Sequence, residues 1–131
     1  MRRSFDELQQ RFIKREMRAI SDADAEGYLY AYIHFAEWKV GSTKDFNRRR
    51  EEWDRDCPDV WRIWLPPIWV AKRRRAESLA HLMLEMVCID RPHAYCESCQ
   101  RKHIEKFIFS EPWPIVWSTI VLPILLRAAI A

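Results

Sequence analysis

Only two glycines occur in this 131-residue chain, Gly27 and Gly41, and they bracket a run that alternates tyrosine with aliphatic residues. Glycine is favoured where the backbone needs positive φ or where another group must come closer than a Cβ allows. A chain this sparing with it marks two such positions. Between them Tyr28, Tyr30, Tyr32 and His34 share one side of a two-residue period, with Leu29, Ala31 and Ile33 on the other. That alternation predicts a strand with two unlike faces. Residues 37–40 give a second short strand, so 27–41 reads as a hairpin.

The length suits one domain with a modest core. With 49% apolar residues and seven tryptophans the chain has enough to bury, which excludes a disordered class. A net charge of +3 names no partner by itself. Its distribution says more: basic residues cluster at Arg48–Arg50, at Lys72-Arg73-Arg74-Arg75 and at Arg101-Lys102. Each cluster alone reads as a solvated helix face; together they make local positive surface. The N-terminal residues lack the apolar run of a secretory signal, which predicts an intracellular chain, cytoplasmic or nuclear. Its four cysteines are then expected as metal ligands or thiols rather than disulfides.

Further elements follow from spacing. Phe5, Leu8, Phe12, Ile13 and Met17 predict an amphipathic helix in an N-terminal segment, 1–20. Ser42-Thr43-Lys44-Asp45 offers helix-start residues for a helix to about Arg55. In 60–70, Pro66-Pro67 splits an aromatic stretch into an edge strand or two short strands. Leu79, Leu82, Met83 and Met86 form the stripe of a helix over 72–87. A loop at 90–100, a short helix or turn at 101–106 and a last strand at 107–109 complete a central unit, 21–110. The apolar tail, 111–131, is barely long enough to cross a bilayer; a packed or protein-binding tail is the expectation and a membrane span the alternative. The predicted class is α/β (α+β): a small three-stranded, mainly antiparallel sheet flanked by helices.

Two charged residues sit oddly. Arg49 shares a helix face with Phe46 and Trp53, an apolar face on which a guanidinium needs a carboxylate, a ligand such as phosphate, or a route past its neighbours to water. Arg48 and Arg50 point elsewhere, to solvent or a polynucleotide backbone. Glu77 lies one turn before His81, behind four basic residues whose charge opposes the helix dipole unless an anion binds there. A carboxylate in that setting can ligate a divalent cation beside a phosphate; an ordinary Arg73–Glu77 surface pair is the bland alternative.

The segments Gly27-Tyr28-Leu29-Tyr30, Lys39-Val40-Gly41-Ser42-Thr43, Arg49 and Glu77, in that order, resemble the GIY-YIG nuclease superfamily. Within it they are most similar to the branch named for a phage T5 DNA-binding domain, which has fungal members. Glu77-Ser78-Leu79-Ala80-His81 and Glu105-Lys106-Phe107 resemble that branch's Glu-x-x-x-His and Glu-Trp-Phe signatures, with Lys106 replacing the tryptophan and Lys39 replacing the second triplet's tyrosine. The resemblance covers about 26–110. It implies a metal-dependent DNA endonuclease or nickase-like domain. Tyr30 would position or deprotonate a water, Arg49 would steady the phosphate, Glu77 would hold Mg²⁺ or Mn²⁺, and Lys39 and His81 would assist. Lys44, Arg48, Arg50, Lys72, Arg73, Arg74 and Arg75 are the expected DNA contacts. A non-catalytic DNA-binding module of the same fold is the alternative, and a zinc-stabilised protein-interaction domain a second one.

Cys96-Glu97-Ser98-Cys99 with His103 gives Cys-x-x-Cys-x-x-x-His, three corners of a structural zinc site by spacing. Cys57 is the candidate fourth ligand, which the resemblance to fungal members supports. Cys88 and His93 are the alternatives, and buried thiols that pack as small apolar groups are the other reading.

Overall fold

The structure, a computed structural model, describes residues 2–131 apart from 93, 97–99 and 104; for 94–96 and 101–103 it describes the backbone only. The class is α+β, built on an antiparallel open sheet flanked by helices. Helix α1 (Phe5–Met17) is capped by Ser4, whose side chain accepts from the Glu7 N–H. Strands β1 (Gly27–His34) and β2 (Glu37–Thr43) form the expected hairpin, paired from Tyr28↔Thr43 to His34↔Glu37. Phe35, between them, takes the turn's positive φ, 54°, so neither glycine is spent on it.

The sheet has five strands where three were expected. The 60–70 stretch supplies two, β3 (Arg62–Trp64) and β4 (Ile68–Val70), and both pair with β1. β3 takes Tyr32–His34 and β4 takes Gly27–Leu29, with Pro66 and Pro67 in the gap where no ladder bond is required. On the other side β2 pairs with β7 (Lys106–Ile108) over Glu37–Lys39, and the Val40 N–H adds a 3.4 Å bond to the Glu105 carbonyl; past Val40, among the described residues, β2 has no strand partner on that side. The expected helix or turn at 101–106 is instead a strand: β5 (Ala94–Cys96) and β6 (Arg101–His103) form a separate two-stranded ladder. Pairing satisfies backbone groups that segments this short cannot satisfy as helix.

Both faces of β1 are covered. Leu29, Ala31 and Ile33 join Trp38 and Val40 in the main core beneath α3 (Arg73–Val87). The same core takes Val116, Val121, Leu125 and Ala128 from a C-terminal helix made of α4 (Trp113–Val116), a π-helical stretch (Trp117–Val121) and α5 (Leu122–Ile130). The wide stretch precedes Pro123, which has no N–H to give to the preceding turn. Trp113–Ile130 is long and apolar enough to cross a membrane by length and composition, with mean hydropathy 1.7; here one of its faces packs in the core. On the opposite sheet face, Tyr30 and Tyr32 are buried against Trp64 and Trp53, the latter from α2 (Phe46–Asp56). Asp45 caps α2 by accepting from the Arg48 N–H at 3.1 Å.

Two buried carboxylates tie distant segments together. Asp24 accepts from the N–H groups of Arg74 and Arg75 at 3.0 and 2.9 Å. It is therefore the anion that the basic first turn of α3 requires, and those bonds hold its carboxyl below the usual range despite burial. Glu85, 1% exposed, accepts from Arg3 at 2.9 Å and Arg91 at 2.7 Å. Burial alone would raise its pKa; the bonds from Arg3 and Arg91 win and bring it to about 2.

Because the folded pKa of Glu85 lies below its ordinary 4.5, the stability it contributes is complete above that value and is lost as the pH falls toward 2. Glu85→Gln is expected to destabilise the fold at pH 7 by about 2 kcal/mol, with solvent around Arg3 moderating the loss. It should also flatten the acid limb of thermal stability; an unchanged limb would show that other carboxylates govern it.

Candidate functional site

The edge of β2 from Lys39 to Ser42, where its pairing with β7 runs out, gathers side chains from four segments. Tyr30 stands opposite Gly41 in the β1–β2 register. A Cβ built at Gly41 would lie 2.6 Å from the Tyr30 hydroxyl oxygen and 2.7 Å from its Cζ. Gly41 is thus a close-approach glycine: the phenol lies across the space a side chain would fill. At Gly27 the added atom would meet the Thr43 carbonyl oxygen at 2.5 Å, again close approach and again without positive φ.

Tyr30 is 3% exposed, and its hydroxyl accepts from the Trp53 indole N–H at 3.2 Å. Burial pushes the phenol pKa up to about 12; the Trp53 bond and the nearby Arg49 charge oppose that rise, while Glu105 and Glu77 add to it. Arg49, on α2, is exposed yet near enough to Tyr30 for its charge to act on the phenol. Its side chain is 44% exposed and its Nε lies 3.6 Å from Glu52, an exposed pairing of little energetic weight. Its charge remains available to a ligand at the rim.

Across the edge, Ser42 donates to Glu77 at 3.1 Å and His81 Nε2 bonds the Val40 carbonyl oxygen at 2.7 Å. A carbonyl only accepts, so Nε2 carries the hydrogen, and burial lowers the pKa of the ring and keeps it neutral. Lys39, buried on the tyrosine face, donates to Glu105 at 2.5 Å. Burial would raise the Glu105 pKa, but Lys39 wins and holds it low. Glu77 has a hydroxyl in place of a cation, so burial and Glu105 raise its pKa. One candidate ligand atom from each of Glu77, His81 and Glu105 lies within 4.8 Å of the others. With Nε2 committed to Val40, the two carboxylates are the better donors to a hard divalent cation.

Tyr30, Lys39, Arg49, Glu77 and His81 therefore converge. Glu105, Ser42 and Trp53 are additional members without an assigned role in the sequence; Glu105 was visible only as part of the Glu-Lys-Phe signature. Among the expected DNA contacts, Lys44, Arg48, Arg50 and Arg74 are exposed. Lys72 and Arg73 are half-buried and donate to the Asp24 and Glu26 carbonyls. Arg75 requires correction: it is buried and donates to the Glu16 carbonyl at 3.0 Å, so its charge serves the fold rather than the surface. Of the cysteine set, Cys57 is buried at the C-terminal end of α2. Cys96 and His103 belong to the paired β5 and β6, and Cys99 and His93 lie outside the described residues. Cys88 is buried, with its Sγ 3.4 Å from the Glu85 carbonyl oxygen.

Residues 27–117 match the family model of the T5orf172 domain, from the first glycine of the hairpin into the C-terminal helix. The chain belongs to the T5orf172 domain family. This domain is related to nuclease-type domains, and α1 lies outside the matched residues. No curated protein and no solved structure matches the chain. The T5orf172 match contains all five side chains that converge on the β2 edge.

Gly41→Ala is expected to lower stability by about 1–3 kcal/mol, because the pinned Tyr30 ring cannot yield. The same change made on a Tyr30→Ala background should cost almost nothing. A thermal-denaturation double-mutant cycle reads this coupling, and additive losses would mean that the ring and Gly41 do not compete for space.

Proposed function

We propose that this T5orf172 domain is a metal-dependent DNA endonuclease or nickase that hydrolyses phosphodiester bonds at the edge of β2, in the manner of the GIY-YIG nucleases it resembles. The observation that carries this reading is a pair of half-buried carboxylates, Glu77 and Glu105, set beside a buried phenol and a rim guanidinium. The paired carboxylates fit a hard cation, since each disfavours the other's charge and only Glu105 has an ammonium of its own. Glu77, with Glu105, would hold Mg²⁺ or Mn²⁺. Such an ion supplies charge neutralisation at the phosphate and an acidified water.

The chain's own groups take the remaining roles. Arg49 offers a positive charge at the rim to the non-bridging phosphate oxygens. Tyr30 accepts from Trp53 and so keeps its O–H to donate. With its pKa at about 12, the phenol stays protonated at neutral pH, so it orients water or phosphate rather than acting as a free base. Lys39 holds Glu105 ionised, and His81 fixes the strand edge through Val40.

The alternative, a DNA-binding module without chemistry, is favoured by the 3% exposure of Tyr30, which leaves the phenol little room for substrate. A plasmid-nicking assay with Mg²⁺ or Mn²⁺ separates the two readings. Cleavage is expected to fall by roughly 10²–10³-fold in each of Tyr30→Phe, Arg49→Ala and Glu77→Gln, with melting temperatures kept. Binding without cleavage by the unaltered chain would establish the module instead, and cleavage that survives all three substitutions would remove this mechanism.

A further inference from the structure

Arg11, Lys14 and Arg15 of helix α1 and Arg18, the residue that follows it as C-cap, recur at spacings of three, four and seven, which place them on one side. On that side Arg11, Lys14 and Arg18 are exposed and Arg15 is half-buried. The same side forms one wall of a groove of about 640 Å³ whose other wall is α3, with Ser78, His81 and Leu82. Arg3 and Arg91 also line it, so six cations face a single lining carboxylate, Glu7.

The pairing of these cations is uneven. Glu7 is taken by Arg11 at 2.9 Å, and Glu85 holds Arg3 and Arg91. Arg15 donates to the Ser78 hydroxyl at 3.1 Å, a neutral partner, and carries a pKa lowered by burial and by the like charges of Arg18 and Arg75. Among the described residues Lys14, Arg15 and Arg18 have no carboxylate partner. Keeping three such cations together on one wall costs repulsion that an anion would relieve. The groove meets the candidate site at one residue: His81 lines it and belongs to the Glu77–Glu105 cluster.

We propose that the α1–α3 groove seats the phosphates of one polynucleotide strand and leads that strand to the β2 edge. From Arg11 to Arg18 the stripe runs about 10 Å along the helix axis, which spans about three phosphates at 3.4 Å per nucleotide of a strand. Helix α1 precedes the residues matched by the T5orf172 model, so this contact is an addition of this chain to the domain. Charge complementarity favours a polyanion, and the shared His81 favours the strand on which the site would act. This proposal rests on the nuclease reading for the destination of the strand, though not for its seat.

The test is binding of a duplex of about 20 base pairs, in EDTA, across roughly 50–200 mM salt. Each phosphate contact adds about 0.9 to the slope of log affinity against log salt, so Lys14→Gln with Arg18→Gln should reduce the slope by about 2. Adding Arg15→Gln should bring the reduction to about 3. The charge-keeping pair Lys14→Arg with Arg18→Lys should retain the parental slope, which separates lost contacts from a loosened α1. A full parental slope in the neutralised variants overturns the groove, whether or not the chain cleaves DNA. Binding to phosphatidylserine vesicles with none to the duplex overturns it in favour of a membrane surface. A reduced slope in a chain that binds DNA and never cleaves it upholds the groove while the enzymatic reading falls.

Discussion

The phenol of Tyr30 lies across a strand residue that has no side chain, and the rest of the site is arranged around that contact. The ring fills the space above Gly41, is held from the side by Trp64, and accepts from Trp53 across to α2. Its position determines how α2 sits on the tyrosine face, and hence where Arg49 points. Any Cβ at 41 would move the ring, and with it the helix that brings the guanidinium to the rim.

Beneath that edge, the electrostatics are decided by which carboxylate has a cation. Burial acts on Glu77 and Glu105 in the same direction, toward protonation. Lys39 reverses the outcome for Glu105, whereas a hydroxyl from Ser42 is too weak to do so for Glu77. Two full charges within 4.8 Å repel by roughly 3 kcal/mol at an effective dielectric near 20. The cluster is therefore short of positive charge on its Glu77 side, and a bound cation or a phosphate-neutralising ion would be stabilised there.

The basic residues divide into structural and available ones. Arg75, Arg3 and Arg91 are spent on backbone carbonyls and on Glu85, and they fasten α1 and the 88–91 segment to α3. Asp24, from the segment before β1, caps a helix that begins 49 residues later, at Arg73, and whose own first turn carries no acidic residue. These bonds leave Arg49 at the rim and Lys14 and Arg18 in the groove as charges without a strong internal use.

Much of this was legible in the residues themselves. The alternation over 28–34, the helix-start run ending at Asp45 and the stripe of α3 each act within a few positions, so the chain carried the hairpin, the helices and the α+β class in local order. Pro66-Pro67 likewise announced a broken strand. Local order did not say that both short strands would share one edge of β1, that 101–103 would pair as a strand, or that Arg75 would be drawn inside. Nor did it give Glu105 to Lys39, or turn the stripe on α1 into the wall of a groove. The sequence by itself determined which side chains share a face, because periodicity and capping act over one or two turns. Only the tertiary structure decided which charges are neutralised and which remain free, because partners 50 to 80 residues apart meet through packing that no local pattern encodes.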